Sequence, residues 1–439
     1  PNASLVVGRP ELNEGKLQAL STRDATGELN VRGAGAQNTE GSINLIAPRI
    51  DSNGKLGARD DLNLTIGRNS VDYASGQVRE VDPSGHSSDG RIDARLFGAM
   101  QAGRINIIST AEGAGVRVGP VQVAGRDGVQ IRSAGDLLVS GAAVSDSLEV
   151  VRAGVHSSQG DVGLHSGKDL TLAAADVSGR DVKVDAKRNL NLTTVESRKL
   201  QEKRNDWSNK TLGITWETYE QFQTGGQSRQ HGSQIIASRD VDLSSGGDTE
   251  LKAARVEAAK DLRAQSGGDL RLTTAIESKT STDRGTHRKH LWKESWDSRS
   301  EEQRSVTTQL KGDNIALSAD GLLRSEGAQV TSGQDIQLAA KQVEIATAPS
   351  TGFKRDERYS GDLVGGGFFG KTGETDQGTT RHQGSAINAA GNLIVKADDV
   401  RVSGSRVRGG RAASLIAGQG SLIIDGVQDT SHLYSHDKN

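Results

Sequence analysis

Short runs in which apolar and polar residues alternate recur along this chain, each led by a turn of glycine or a basic residue followed by Asp or Asn. Gly160-Asp161-Val162-Gly163-Leu164 is followed eight residues later by Lys168-Asp169-Leu170-Thr171-Leu172. Both return twenty residues on, as Arg180-Asp181-Val182-Lys183-Val184 and Arg188-Asn189-Leu190-Asn191-Leu192. The pair comes back at Asp240 and Asp248, again at Asp261 and Asp269, with single copies at Asp136, Asn314, Asp335 and Asn392. Period 2 over three to five residues predicts a brief strand with one buried face. Gly supplies the turn, and Asp or Asn is expected to bond its own backbone two residues on.

A unit of 20 or 21 residues cannot bury that face alone, but stacked copies can. Stacking equivalent strands predicts an all-β chain, a right-handed parallel β-helix, with Leu170 over Leu190 and Leu251 over Leu272 in core columns. The longer signature of a leucine-rich horseshoe is absent, and a propeller blade needs about twice the repeat length. Outside three interruptions of the pattern, the chain suffices for about 15 rungs, a rod of about 70 Å.

In order, residues 1–120 carry rung units at irregular spacing, with a polar loop or edge excursion from Tyr73 to Asp93. Residues 121–426 are regular apart from three excursions, 195–232, 275–310 and 346–384. Each returns at once to rung sequence, so each is expected to decorate the coil as a β-hairpin arm. Residues 427–439 carry no repeat and are expected to fray.

Composition sharpens this picture. Aromatics are 3% of the 439 residues, yet ten of thirteen fall in the excursions: Trp207, Trp216, Tyr219, Phe222, Trp292, Trp296, Phe353, Tyr359, Phe368 and Phe369. These are the candidate partner contacts, because interfaces favour aromatic and Arg surface. The alternative is that the arms fold back and pack these rings on neighbouring rungs. Leu212, Ile214, Trp216 and Phe222 share one strand parity, as a long hairpin would require.

A net charge of −2 gives no electrostatic case for nucleic acid. There is no cysteine and no apolar run long enough for a membrane helix. No signal peptide is read, and a start on Pro1 leads us to expect a piece of a longer protein.

Gly98-Ala99-Met100-Gln101-Ala102-Gly103-Arg104-Ile105, followed by Thr110-Ala111-Glu112-Gly113-Ala114-Gly115-Val116, resembles the filamentous-haemagglutinin-like exoproteins of Gram-negative bacteria. Ala58 to Asn69 resembles the later rungs of that family's two-partner secretion domain. Thr193-Thr194-Val195-Glu196-Ser197 and Thr273-Thr274-Ala275-Ile276-Glu277-Ser278, each opening an excursion, resemble its haemagglutinin repeats, particularly those of contact-dependent growth inhibition effectors. The resemblance implies a non-enzymatic filament at the bacterial cell surface, exported through an outer-membrane partner transporter. Such filaments contact a target-cell receptor, whether protein, glycan or lipid, or engage the target outer membrane in support of a carboxy-terminal toxin. Adhesion to host cells or biofilm matrix is the alternative.

No enzymatic, cofactor or metal site is expected. Gly365 to Thr372 fits the phosphate-loop expression, but the sequence after it is a poor helix, so a glycine-rich arm tip is the better reading. Asp60-Asp61 and Asp398-Asp399 are the carboxylate pairs a carbohydrate-active β-helix could use, yet nothing singles them out. His287 with His290, and His432 with His436, have helical ligand spacing but lack further ligands.

Overall fold

The computed structural model describes residues 2–81, 92–111, 115–362 and 370–438. Among these residues every regular element is a strand, and the coil is a parallel β-helix with three strand columns. One column contains Ala175–Gly179, Gln234–Ala237, Arg255–Ala258 and Gln309–Gly312. The second contains Val162–Ser166, Val182–Ala186, Val241–Ser245 and Asp261–Ser266. The third contains Leu170–Ala173, Leu190–Thr193, Thr249–Lys252 and Leu270–Thr273. The first two columns merge into one 23-stranded sheet.

The predicted columns are present in register. Leu170 pairs with Leu190, Val162 with Val182 and Leu251 with Leu272. These side chains are fully buried and form one continuous apolar core from Leu29 to Val402. Thirteen strands stack in the third column among the described residues, from Glu28–Val31 to Leu422–Asp425. That is fewer than the expected 15, because some rungs are longer than 21 residues, Leu137 pairing with Leu170, and residues near the amino end go to a separate sheet. Near the amino end, Arg9–Asn13, Lys16–Ser21, Asn69–Asp72 and Val78–Val81 form a separate four-stranded antiparallel sheet. Part of the stretch expected to be a loop or edge excursion, Tyr73 to Asp93, is therefore a strand, Val78–Val81, at the edge of this sheet.

The Asp/Asn repeat has a different bonding role from the expected one. Instead of bonding its own turn, each side chain accepts the backbone N–H of its counterpart one rung on. Asp136 Oδ1 accepts from Asp169 (3.0 Å), Asp169 from Asn189 (3.1 Å), Asn189 from Asp248 (3.0 Å) and Asp248 from Asp269 (2.9 Å). A second ladder runs Asp161, Asp181, Asp240 and Asp261. A parallel coil leaves these turn N–H groups pointing along its axis, so a short acceptor in the rung before satisfies them.

The basic residue preceding Asp or Asn reaches back to the same carboxylate. Arg188 makes a bidentate contact to Asp169, with both distances 2.6 Å. Arg180 contacts Asp161 in the same way, and Arg239 contacts Asp181. The guanidinium of Arg188 holds Asp169 below the usual carboxylate value, and that of Arg239 does the same for Asp181.

A carboxylate with a depressed folded pKa contributes stability above its ordinary value near 3.8, and loses it as pH falls through the lowered one. We therefore predict that Asp169→Asn with Asp181→Asn melts earlier than the parent at pH 7. The two should converge at acid pH, once the pH has fallen through the lowered values and the parent's carboxylates protonate. Parallel melting curves at both pH values would show that these pairs carry no linkage.

Candidate functional site

The arms are where this fold departs from a plain coil. Seven strands, labelled β1 to β7 in chain order, build them: β1 Val195–Thr211, β2 Ile214–His231, β3 Ala275–Lys289, β4 Trp292–Val306, β5 Gln342–Asp362, β6 Gly370–Gly384 and β7 Thr430–Lys438. β1 with β2, β3 with β4, and β5 with β6 are hairpins. The hairpins do not fold back on the rungs. β2 pairs with β3, β4 with β5, and β6 with β7, all antiparallel, so the arms fuse into one seven-stranded sheet beside the coil. The tail expected to fray is its seventh strand, with Thr380 opposite Thr430 and Thr372 opposite Lys438.

Spacing explains the fusion. Arms leave after third-column strands Leu190–Thr193 and Leu270–Thr273, and the next arm strand, β5, itself begins as a rung strand beside Leu322–Glu326. The rungs between turn a tight corner in the left-handed region instead, at Ala253 (φ 48°), Gly327 (φ 64°) and Gly404 (φ 52°). Two rungs rise about 9.6 Å, which is also the width that a two-stranded hairpin occupies in a sheet. One hairpin for every two rungs therefore brings neighbouring hairpins into hydrogen-bonding distance.

Each arm returns to the coil through a buried hydroxyl. Thr308 Oγ1 lies 2.7 and 2.8 Å from the carbonyl oxygens of Leu251 and Thr273. Ser385 Oγ lies 2.8 Å from Ala346 O, and Ser233 Oγ accepts the Ala175 N–H at 3.2 Å. Corner rungs place Ala254 and Ala328 at the equivalent position. The hydroxyls thus satisfy backbone groups that would be orphaned where the ladder opens.

Within the sheet, cross-strand rows bring most of the sequence candidates together. Trp207 stacks on Tyr219 (centroids 5.5 Å, interplanar angle 10°), and Tyr219 meets Trp296 at 5.8 Å and His287 at 5.9 Å. Trp296 lies across Gly285, where a Cβ would come within 2.2 Å of its ring, and donates its indole N–H to Asp283 at 3.1 Å. Gln221 and Gln223 also donate to Asp283. Glu217, buried, is bonded by Asn209 (2.8 Å) and His287 (3.0 Å), and Asn209 foremost holds its carboxyl below the usual range. On the other face Arg284 covers Phe222 at 5.1 Å.

The remaining candidates do not join this cluster. Trp216 packs on His290 (5.4 Å) near the first two arm tips, Trp292 is exposed at the second tip, and Phe353 is exposed on β5. Tyr359 lies beside Gly361 and Gly370. Phe368 and Phe369 lie outside the described residues. Leu212 sits in the first turn, off the strand parity it was expected to share. Opposite faces of the outer half of the sheet carry depressions of about 850 and 530 Å³; Arg204, Arg284, Glu357 and Glu374 line the larger.

Sequence reasoning missed Glu217, Asp283, Gln221 and His287 as a network, because cross-strand partners come from different arms. The signal available was the 80-residue interval between the two Thr-Thr motifs at 193–194 and 273–274, which is one arm plus two rungs.

Among the described residues the candidate carboxylates and histidines do not converge. Asp60 pairs with Arg59, and Asp399 accepts from Ser421. His432 lies over Gly378, and His436 stacks on Tyr434. No group of three or more His, Asp or Glu among the described residues could hold a metal. The phosphate-loop match runs into strand β6 rather than into a helix.

Comparison with known families accounts for this plan. The amino-terminal third matches the TPS secretion domain over residues 1–139, and the rest matches the Hemagglutinin repeat over 151–211, 204–288 and 292–439. The chain belongs to the haemagglutinin-repeat exoproteins of two-partner secretion. Such exoproteins are secreted to the bacterial cell surface, and the secretion domain implies an outer-membrane transporter as partner. The "Hemolysin" of Proteus mirabilis is 26% identical over 96% of this chain, and that of Serratia marcescens 26% over 98%. The "tRNA nuclease CdiA" of Escherichia coli (strain NC101) is 32% identical over 39% of the chain. The chain spans 28% of each haemolysin's length and 5% of that CdiA. No solved structure matches.

Proposed function

We propose that this chain is a non-enzymatic rod segment whose side sheet makes contact with a target cell. On this reading residues 1 to about 120–139 direct export and the repeat coil to 426 carries the arms. The observation that supports it is the fused arm sheet: a rod needs only corners such as Ala253, yet from Leu190 to Ile345 every second rung is extended into arm strands of 15 to 21 residues. Trp207, Trp216, Tyr219, Phe222, Trp292, Trp296, Phe353 and Tyr359 would serve this contact in two ways. Tyr219, Phe222 and Trp296 shape the sheet, while Trp207, Trp292 and Phe353 are its exposed rings.

Two effector contexts fit the segment. Delivery of a carboxy-terminal toxin into neighbouring bacteria follows the CdiA relatives; a lytic effector follows the haemolysins, which match nearly the whole chain. Binding of labelled protein to Gram-negative cells and to erythrocytes distinguishes them. A variant with all three arms replaced by corners should keep its β content by circular dichroism and lose binding to the target. Equal binding by both proteins would make the rod a spacer and refute the contact role.

A further inference from the structure

The outer ends of the first two hairpins are built against the usual rules for an exposed turn. The first loop is Leu212-Gly213, with both residues in the left-handed region (φ 50° and 79°). Such a turn favours Asn or Gly at its first position, and a leucine there gives up backbone ease. Leu212 is nevertheless 98% exposed, and Ile214 beside it 71%. The second loop repeats the combination. His290 has φ 54°, followed by Leu291 at 61% exposure and Trp292 at 45%. Register sets the two loops next to each other, since Glu217 on β2 faces Lys289 on β3. Strain and exposed apolar surface at one place, twice, indicate a contact made by the turns themselves.

The charges behind this apolar crest are the cations Lys210, Arg288, Lys289 and Lys293 and three carboxylates of the same rows. Of the carboxylates, Glu217 is buried and turned to Asn209, His287 and, at 4.0 Å, Lys289; Glu294 faces the Trp292 indole N–H at 3.4 Å; and Asp362 lies opposite Trp292. The rest of the chain offsets this basic edge, the net charge being −2. Projecting Leu, Ile and Trp over a collar of Lys and Arg fit the boundary between lipid headgroups and acyl chains, where Trp and apolar side chains enter and cations meet anionic headgroups. A narrow convex crest also matches a surface that yields, whereas a protein partner would need a pocket shaped to it.

We infer that the tips of the first two arms form a shallow anchor for an anionic phospholipid surface, with Leu212, Ile214, Leu291 and Trp292 entering the bilayer boundary and Lys210, Arg288, Lys289 and Lys293 meeting its headgroups. This rests on the proposed contact role of the arms and names its partner.

The test is sedimentation of the purified chain with vesicles of phosphatidylcholine alone, and of phosphatidylcholine mixed with phosphatidylglycerol. The parent should sediment with the anionic vesicles, and less so as salt screens the collar. Leu212→Asn, Ile214→Thr, Leu291→Asn and Trp292→Thr together should weaken this by roughly tenfold or more, since little else of the contact is apolar. Brominated acyl chains should quench emission that Trp292→Thr alone removes. No sedimentation of the parent, or equal sedimentation of the fourfold variant, overturns the anchor. If the parent still binds cells in an arm-dependent way while ignoring vesicles, the anchor fails and the contact role stands. Protease treatment of the cells that abolishes such binding would assign the arms to a protein partner instead. Loss of arm-dependent cell binding altogether would remove both.

Discussion

Leu272→Asp should melt the middle of this rod and leave its ends folded. Leu272 is fully buried, stacked on Leu251 in one direction and paired with Ser325 in the other. A carboxylate there has no partner, so the change costs on the order of 4 kcal/mol through lost packing and desolvation. In a globular domain that would lower global stability. In a coil, each rung touches only its neighbours, and the cost falls on the rungs that can open without dragging others. Hydrogen exchange should therefore quicken in Thr249–Lys252, Leu270–Thr273 and Leu322–Glu326 while Val162–Ser166 and Asn392–Ala397 keep the parent's protection. The ladder sharpens this expectation: losing Asp269 from register releases the N–H groups of its own turn, of Thr249 in the rung before and of Leu322 in the rung after. Uniform acceleration along the whole chain would mean that the rod unfolds as one unit.

That rungs can be treated one at a time was legible in the sequence, because everything inside a rung is local. The turn, the alternation and the return of Leu at 20 or 21 residues fix which side chains face inward, and Leu170 over Leu190 is the result. The exit points of the arms were legible for the same reason: rung sequence stops at 195, 275 and 346 and resumes. What could not be read was where an arm goes after it leaves. Arg204, Phe222, Arg284, Asp297 and Glu357 lie in one cross-strand row, drawn from three excursions. Their adjacency depends on hairpin width matching rung rise, which is a property of the assembled coil. The ladder side chains show the same limit. Asp in a turn reads as a local cap, and only the stacked neighbour shows that its acceptor serves the next rung. The tail misread as frayed is instructive too: Thr430–Lys438 lacks rung alternation because its partner is an arm strand, β6.

If that commensurate spacing holds the arm sheet together, removing the central hairpin should divide the sheet without harming the coil. Deleting residues 275–307 joins Thr273-Thr274 to Thr308-Gln309, the same length of corner as Lys252-Ala253-Ala254-Arg255 one rung earlier. With Thr274→Gly to ease the left-handed position that Ala253 holds at φ 48°, the third column can turn tightly there. Thr308 keeps its place against Leu251 O and Thr273 O. The cost lies outside. β2 loses the eleven-residue pairing from Glu217 to Gln227, β5 loses that from Gly352 to Asp362, and the edges left behind face each other across the width of two missing strands, too far to bond. Asp283, His287 and Trp296 leave with the hairpin, so Gln221 and Gln223 lose their acceptor and Tyr219 keeps only Trp207 of its three ring contacts. An isolated two-stranded hairpin is marginal in water. Limited proteolysis should then cut the first arm between Lys199 and Lys210 faster than in the parent, where its partner β2 is paired on both edges, while the rung pattern survives in the fragments. Arms that stay resistant after this deletion would show that each hairpin is held by the coil beneath it rather than by its neighbours.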